Sequence, residues 1–117
     1  LKFIELFGGI GGFRVGLEGA NSNFKCVWTN QYEPSTPKVQ SAADVYRYHF
    51  GEKTLSNVDI NEVLKDNHDI PDFDLLTAGF PCQDFSVAQS LATSKGLEGN
   101  KGNLWYKILD VIDRKKP

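Results

Sequence analysis

Runs of consecutive apolar residues alternate along this chain with stretches whose apolar positions recur at helical spacing. KFIELF (2–7) is a strand candidate that runs into the glycines GGIGG (8–12); Phe13, Leu17 and Ala20 then share one helical face. FKCVWT (24–29) reads as a second strand. Thr36-Pro37 supplies a capping hydroxyl and a first-turn proline, predicting a helix that carries Val39, Ala43, Tyr46 and Phe50 on one face and ends at Gly51. TLSNVD (54–59) is a third strand by position, though weak in propensity. Asp59 and Glu62 fit a capping box opening the turn INEVLKD. FDLLTAGF (73–80) is the clearest strand of the four. Residues 83–102 are polar, rich in Ser, Lys, Gly and Asn, and read as a long mobile loop, of a length that is usually functional or disordered. NLWYKILDVIDRK (103–115) returns to helical spacing, with Leu104, Ile108 and Ile112 in line and Pro117 as a stop. Strands alternating with helices predict a layered α/β sheet built from crossover units.

Composition narrows the class. A chain of 117 residues, 40% hydrophobic and 24% charged, suits one soluble globular domain. No apolar stretch approaches the roughly 20 residues of a membrane span, and the N-terminus lacks a signal-peptide pattern, so an intracellular protein without membrane contact is expected. Cys26 and Cys82 are the only cysteines and His49 and His68 the only histidines, which disfavours a disulfide framework and a metal site. Net charge is −2, but from Lys95 onward six bases face three acids. That basic quarter suits phosphates or a solvated helix end equally well. The absence of methionine and the abrupt ends read as a piece of a longer product.

Candidate chemistry gathers at the ends of the strands. A strand running into glycines that open a helix lets backbone N–H groups approach a ligand. The dinucleotide fingerprint G-x-G-x-x-G fails, because Gly9 and Gly11 fit but the third glycine falls on Arg14. NQYEP (30–34) brings Gln31, Tyr32 and Glu33 to the end of the second strand, and VDI (58–60) brings Asp59 and Ile60 to the third. Singly these are a solvated loop acid and a helix cap; at successive strand ends of one sheet they outline a nucleoside pocket. Cys82 follows the fourth strand in GFPCQDFS (79–86). A free cysteine is usually inert packing, but Pro81 fixes the backbone entering the loop and Gln83 and Ser86 add hydrogen-bonding groups, a setting that strengthens the case for a nucleophile. Cys26, inside FKCVW, reads as core.

In this order and spacing, ELFGGIGGFRVGLEGA, VWTNQYEP, SNVDINEV and TAGFPCQDFSVAQ resemble the DNA (cytosine-5) methyltransferases, and KGLEGNKGNLWYKILDVIDRKKP resembles the segment that follows in that family. The resemblance covers nearly the whole chain. It implies a Rossmann-like S-adenosylmethionine-dependent fold, of which residues 1–117 are the N-terminal, cofactor-binding part of the catalytic domain. The first strand would be central, the next two would extend to one side, and the fourth would lie on the other. It implies S-adenosyl-L-methionine as cofactor and double-stranded DNA with a flipped cytosine as substrate. Cys82 would be the nucleophile, with Gln83 and Ser86 in a catalytic loop that closes over the DNA. Phe7, Gly9, Ile10, Gly11 and Gly12 would surround the methionine portion and the adenosine edge. The acid after the second strand would hold the ribose, Asp59 the adenine amino group and Ile60 the ring face, with Pro81 and Leu104 completing the wall. A cytoplasmic enzyme of prokaryotic or phage type follows.

Two departures from the family stand out. Where the family shows Asn-Glu-aromatic-Asp, this chain has Asn30-Gln31-Tyr32-Glu33. The ribose ligand is Gln31 in ungapped register, or Glu33 if the extra residues near PSTPK shift it; an anionic acceptor binds paired hydroxyls better than an amide, which favours Glu33. The family's later parts have no counterpart here: the Glu-Asn-Val motif whose glutamate protonates the cytosine, the arginine motif and the target-recognition region. The remainder of the catalytic domain would therefore be needed in cis or in trans, and the chain alone would be inactive. The alternatives are a transfer-RNA cytosine-5 methyltransferase, a non-catalytic S-adenosylmethionine-binding module, one subunit of a split enzyme, and a dinucleotide-binding domain with an incidental cysteine.

Overall fold

The structure, a computed structural model, describes residues 1–65, 70–79 and 104–117. The chain forms two compact units, Leu1–Gly79 with Pro117, and residues 80–116. The first carries β1 (Lys2–Leu6), α1 (Gly12–Ala20), β2 (Lys25–Asn30), α2 (Ser41–Phe50), β3 (Leu55–Ser56), α3 (Ile60–Lys65) and β4 (Leu75–Ala78). The described part of the second is α4 (Leu104–Lys115).

The four strands form one parallel sheet in the order β3-β2-β1-β4. This is the expected order: the sheet grows one way from β1 through β2 to β3, and β4 joins the opposite side. A central parallel strand is covered on both faces, so it reads as an uninterrupted apolar run. Phe3, Ile4 and Leu6 of β1 are fully buried, as is Glu5 between them. Ile60, Val63, Leu64, Ile70 and Phe73 add to the buried set of this unit.

One irregularity shapes the interior. Phe3 pairs with Cys26 and Ile4 with Trp28, so β2 carries an extra residue at Val27. In a regular strand, residues three apart point to opposite faces. The bulge cancels that, putting Cys26 Sγ 3.3 Å from Thr29 Oγ1. Thr29 pairs in register with Glu5 and donates to Glu5 Oε2 at 2.9 Å.

Four sequence expectations change. The second helix begins at Ser41 and not at Thr36-Pro37, because the Gln40 side chain occupies the backbone groups of the preceding turn: Nε2 donates to Glu33 O and Thr36 O, and Oε1 accepts from Glu33 N. Val39 is accordingly outside the helix and 61% exposed. The third strand shrinks to Leu55–Ser56. Asp59 caps α3 through Asn61 N at 2.8 Å, one residue short of the capping-box geometry. In α4 the buried row is Ile108 and Val111, an i, i+3 pair, while Ile112 is exposed. Gly51 ends α2 as expected, in a positive-φ conformation.

Candidate functional site

Loops following β1, β2 and β3 meet at the C-terminal edge of the sheet. After Leu6 the chain turns sharply: Phe7 has φ 55°, Gly9 60° and Gly11 95°. Gly8 N donates to Asn30 O, pinning the loop to the end of β2, and Gly11 N donates back to Gly8 O. Gly11 precedes α1 directly, and a methyl group there would run into the Phe50 ring. Gly79, the residue after β4, packs so tightly that a Cβ would stand 2.8 Å from Phe7 O. The glycines at these two strand ends therefore let the backbones converge where the strand order reverses, the place where open α/β sheets bind ligands.

A hollow of about 610 Å3 opens there, lined by Gly8, Ile10, Gly12, Phe13, Gly16, Leu17 and Gly79. Phe13 and Leu17, predicted as a helical face, line this hollow; α1 has no buried residue, and Ile10 and Phe13 are 59% and 50% exposed. A Cβ at Gly12 would meet nothing within 4 Å. The size and apolar lining lie within the range of small-molecule sites.

Polar groups flank the glycine loop on the β2 side. Gln31 Oε1 accepts from Gly9 N at 2.8 Å. Its backbone is held too, by Gln31 N donating to Ser56 O and by Asn57 Nδ2 donating to Gln31 O. Glu33 turns to its own loop: Oε1 accepts from Ser35 N and Ser35 Oγ. Tyr32 is half-buried between them. Asp59 Oδ1 accepts from the backbone and side-chain amides of Asn61, and Ile60 is buried at the first position of α3. Gln31, the glycine loop and the hollow thus adjoin, whereas Glu33 is engaged locally. Pro81, Cys82, Gln83 and Ser86 lie outside the described residues, and Leu104 begins α4 in the second unit. The sequence reading passed over Asn57 and Gln40, whose amides brace Gln31 and its loop; nothing in their local pattern separates them from ordinary turn residues.

Behind the loop lies a buried polar chain. Arg14 Nη1 donates to Tyr46 Oη at 3.0 Å; Tyr46 Oη and Thr29 Oγ1 are 2.6 Å apart, and Thr29 reaches Glu5. Burial pushes the Glu5 carboxyl above its ordinary range, against the opposing bonds from Thr29 and Tyr46. Burial likewise raises the Tyr46 hydroxyl to about 12 and the Cys26 thiol above its usual value. Cys26, 4% exposed, is thus a core thiol held in its neutral form, as its apolar sequence setting suggested.

A parallel sheet with flanking helices, a glycine turn after its central strand and a hollow at the switch point define a Rossmann-like α/β class. The comparisons narrow it. The family described as C-5 cytosine-specific DNA methylase matches residues 1–117, and the chain belongs to that family. It is 43% identical over 118 residues to the type II methyltransferase M.Sau3AI of Staphylococcus aureus, covering all of this chain and 28% of that protein. It is 40% identical to M.HhaI of Haemophilus parahaemolyticus, again across the whole chain and 31% of the relative. Among solved structures, the Dnmt2 methyltransferase of S. pombe superposes with a TM-score of 0.67 at 25% identity, covering 100% of this chain and 33% of the other. The chain therefore spans about a third or less of these relatives.

The crevice fits an adenosyl sulfonium ligand by its own geometry. Open space beside Gly9 and Gly12 admits a ligand against the backbone, the apolar hollow suits a thioether chain, and Gln31 and Asp59 offer polar contacts at adjacent strand ends.

Proposed function

We propose that this chain supplies the cofactor crevice and the attacking thiol of an enzyme that methylates C5 of cytosine in DNA. The observation that carries the reading is the glycine turn at the switch point, together with β4 ending at Ala78, immediately before the sequence Gly-Phe-Pro-Cys-Gln that holds Cys82. The family description names DNA, so the transfer-RNA alternative is not favoured.

S-adenosylmethionine, when bound, supplies an electrophilic methyl group on a sulfonium. The glycine loop would hold its methionine end beside the hollow, with the adenosine toward Gln31, Asp59 and Ile60. Cytosine C5 is a weak nucleophile on its own. The Cys82 thiolate would add to C6 and move the electron pair of the C5–C6 double bond to C5, which could then take the methyl group as the S–CH3 bond breaks and leaves the neutral thioether S-adenosylhomocysteine. Loss of the C5 proton to a base re-forms the double bond and expels the thiolate. The cytosine must leave the duplex to meet the thiol, so a flipped base is part of the reading. By the resemblance, Gln83 and Ser86, which follow Cys82 in the sequence, would serve the same step.

The test uses the whole protein carrying this sequence, S-adenosylmethionine and duplex DNA containing 5-fluorocytosine, whose C5 fluorine cannot leave as a proton does. A covalent protein–DNA adduct is expected, and Cys82→Ser should abolish it. An adduct that persists in Cys82→Ser would remove Cys82 from the mechanism.

A further inference from the structure

The glycine turn beside the hollow is pressed by two side chains that do not line it. Ile10 and Gly12 line the hollow, whereas Gly11 between them does not. Gly11 holds φ 95°, and a methyl group on it would overlap the Phe50 ring. The ring of this last residue of α2 therefore lies directly against the Gly11 backbone. Phe50 is itself fixed: the Arg14 guanidinium carbon lies 4.5 Å from the centre of its ring, and the Tyr46 ring centre lies 4.8 Å away. Arg14 stands where the dinucleotide fingerprint carries its third glycine, which lets the helix pack closely in that class. Here a long side chain takes that place. Arg14 Nη1 donates to Tyr46 Oη at 3.0 Å and to Thr54 Oγ1 at 3.1 Å, and Nε donates to Glu18 Oε1 at 2.6 Å. The first turn of α1, the end of α2 and the entry to β3 are thus tied together around one aromatic ring.

Glycine backbones visit left- and right-handed conformations about equally readily, so a turn built on Gly8, Gly9, Gly11 and Gly12 would explore many shapes if left to itself. A ligand would then have to order the turn as it bound, at a cost to affinity. We propose that Phe50 and Arg14 are positioning residues that hold this turn in its ligand-ready shape before the cofactor arrives. The inference rests on the adenosyl reading of the crevice and deepens it. Neither residue lines the hollow, so both act on affinity through the Gly11 backbone and not by touching the ligand. Phe50→Leu removes the ring that backs Gly11 and stacks on Arg14. Arg14→Lys keeps the charge but loses the planar fork that reaches Tyr46, Thr54 and Glu18 together.

The test measures S-adenosylhomocysteine binding by calorimetry to the whole protein carrying this sequence, as wild type, Phe50→Leu, Arg14→Lys and Phe73→Leu. Phe73 is buried just ahead of β4, at the end of the sheet away from the hollow, so Phe73→Leu makes the same chemical change in the core without touching the turn. Phe50→Leu is expected to weaken binding about tenfold, the equivalent of ordering roughly one more backbone residue on binding. Arg14→Lys should weaken it in the same direction, and Phe73→Leu should leave it within about twofold. Equal losses in Phe50→Leu and Phe73→Leu would show a general effect of lowered stability and overturn the inference, as would unchanged affinity in Phe50→Leu. A second measurement needs no variant. In ligand-free wild type the Gly11 N–H, bonded to Gly8 O, should already be protected from hydrogen exchange, with little protection added by S-adenosylhomocysteine. A Gly11 amide that exchanges freely until ligand is added would overturn the inference and leave the adenosyl reading standing. A protected Gly11 amide in a wild type that fails to bind S-adenosylhomocysteine would overturn the adenosyl reading, and the inference with it.

Discussion

Glu5 is fully buried, and among the described residues its Oε1 has no hydrogen-bond partner. Thr29 and Tyr46 serve only Oε2. Removing the charge is the cheaper solution for such a carboxyl, which is why burial raises its pKa. The native state then holds the proton to higher pH than the unfolded chain does. Its stabilising contribution is complete below the ordinary carboxylate value of 4.5 and is lost as pH rises toward the native value. Gln cannot ionise, so Glu5→Gln should gain stability relative to wild type over that window, read as the difference in urea midpoints across a pH series. A difference independent of pH would show that Glu5 does not titrate abnormally. Nothing in the sequence announced this chain of groups: a lone acid in an apolar run has no visible partner until the bulge at Val27 and the docking of Tyr46 bring Thr29 and Cys26 to it.

Glycines on and around α1 divide by what their backbones require. Gly11 sits at φ 95° against Phe50, whose ring also lies 4.5 Å from the Arg14 guanidinium. Gly19 lies inside the helix, exposed, with nothing within 4 Å of a Cβ. Gly11→Ala should therefore cost about 1–3 kcal/mol through backbone strain and the displaced ring. Gly19→Ala should instead stabilise by about 0.5–1 kcal/mol. Urea unfolding of the two variants checks both signs. The same elements show what pattern alone could reveal. Apolar runs made β1, β2 and β4 legible as strands, whereas their order followed from the family resemblance and not from the pattern. The start of α2 was not, because Gln40 bonds the turn before it through a side chain, and local rules score the better-known signal of Thr36-Pro37. Nor could periodicity say that the Phe13–Leu17 face of α1 lines a hollow, since an apolar face looks the same whether it meets core or ligand. The glycine turn after β1 was legible as a run of glycines; that Gln31 reaches Gly9 while Glu33 bonds Ser35 was not, because both depend on how the loop folds back.

At the scale of the molecule, the described sheet has four strands, and the relatives are more than three times as long as this chain. Thiol addition places negative charge on the cytosine ring, and the resemblance assigns the neutralising glutamate to a motif with no counterpart here. The 117-residue chain alone is accordingly expected to form no 5-methylcytosine on duplex DNA, measured by mass spectrometry of digested product, and to gain activity when the remaining segments of such a relative are added. Methylation by the chain alone would contradict this. The position of β1 has a further consequence, for synthesis. It is synthesised well before β4, yet Phe3 must pair with Leu75, far along the chain. At about 5–20 residues per second, the flank of the nascent strand waits on the order of 4–15 seconds for its neighbour. During that interval the β1-α1-β2 crossover unit lacks its neighbour on the β4 side, so translation speed between codons 30 and 75 should govern how much of the product a chaperone must shelter.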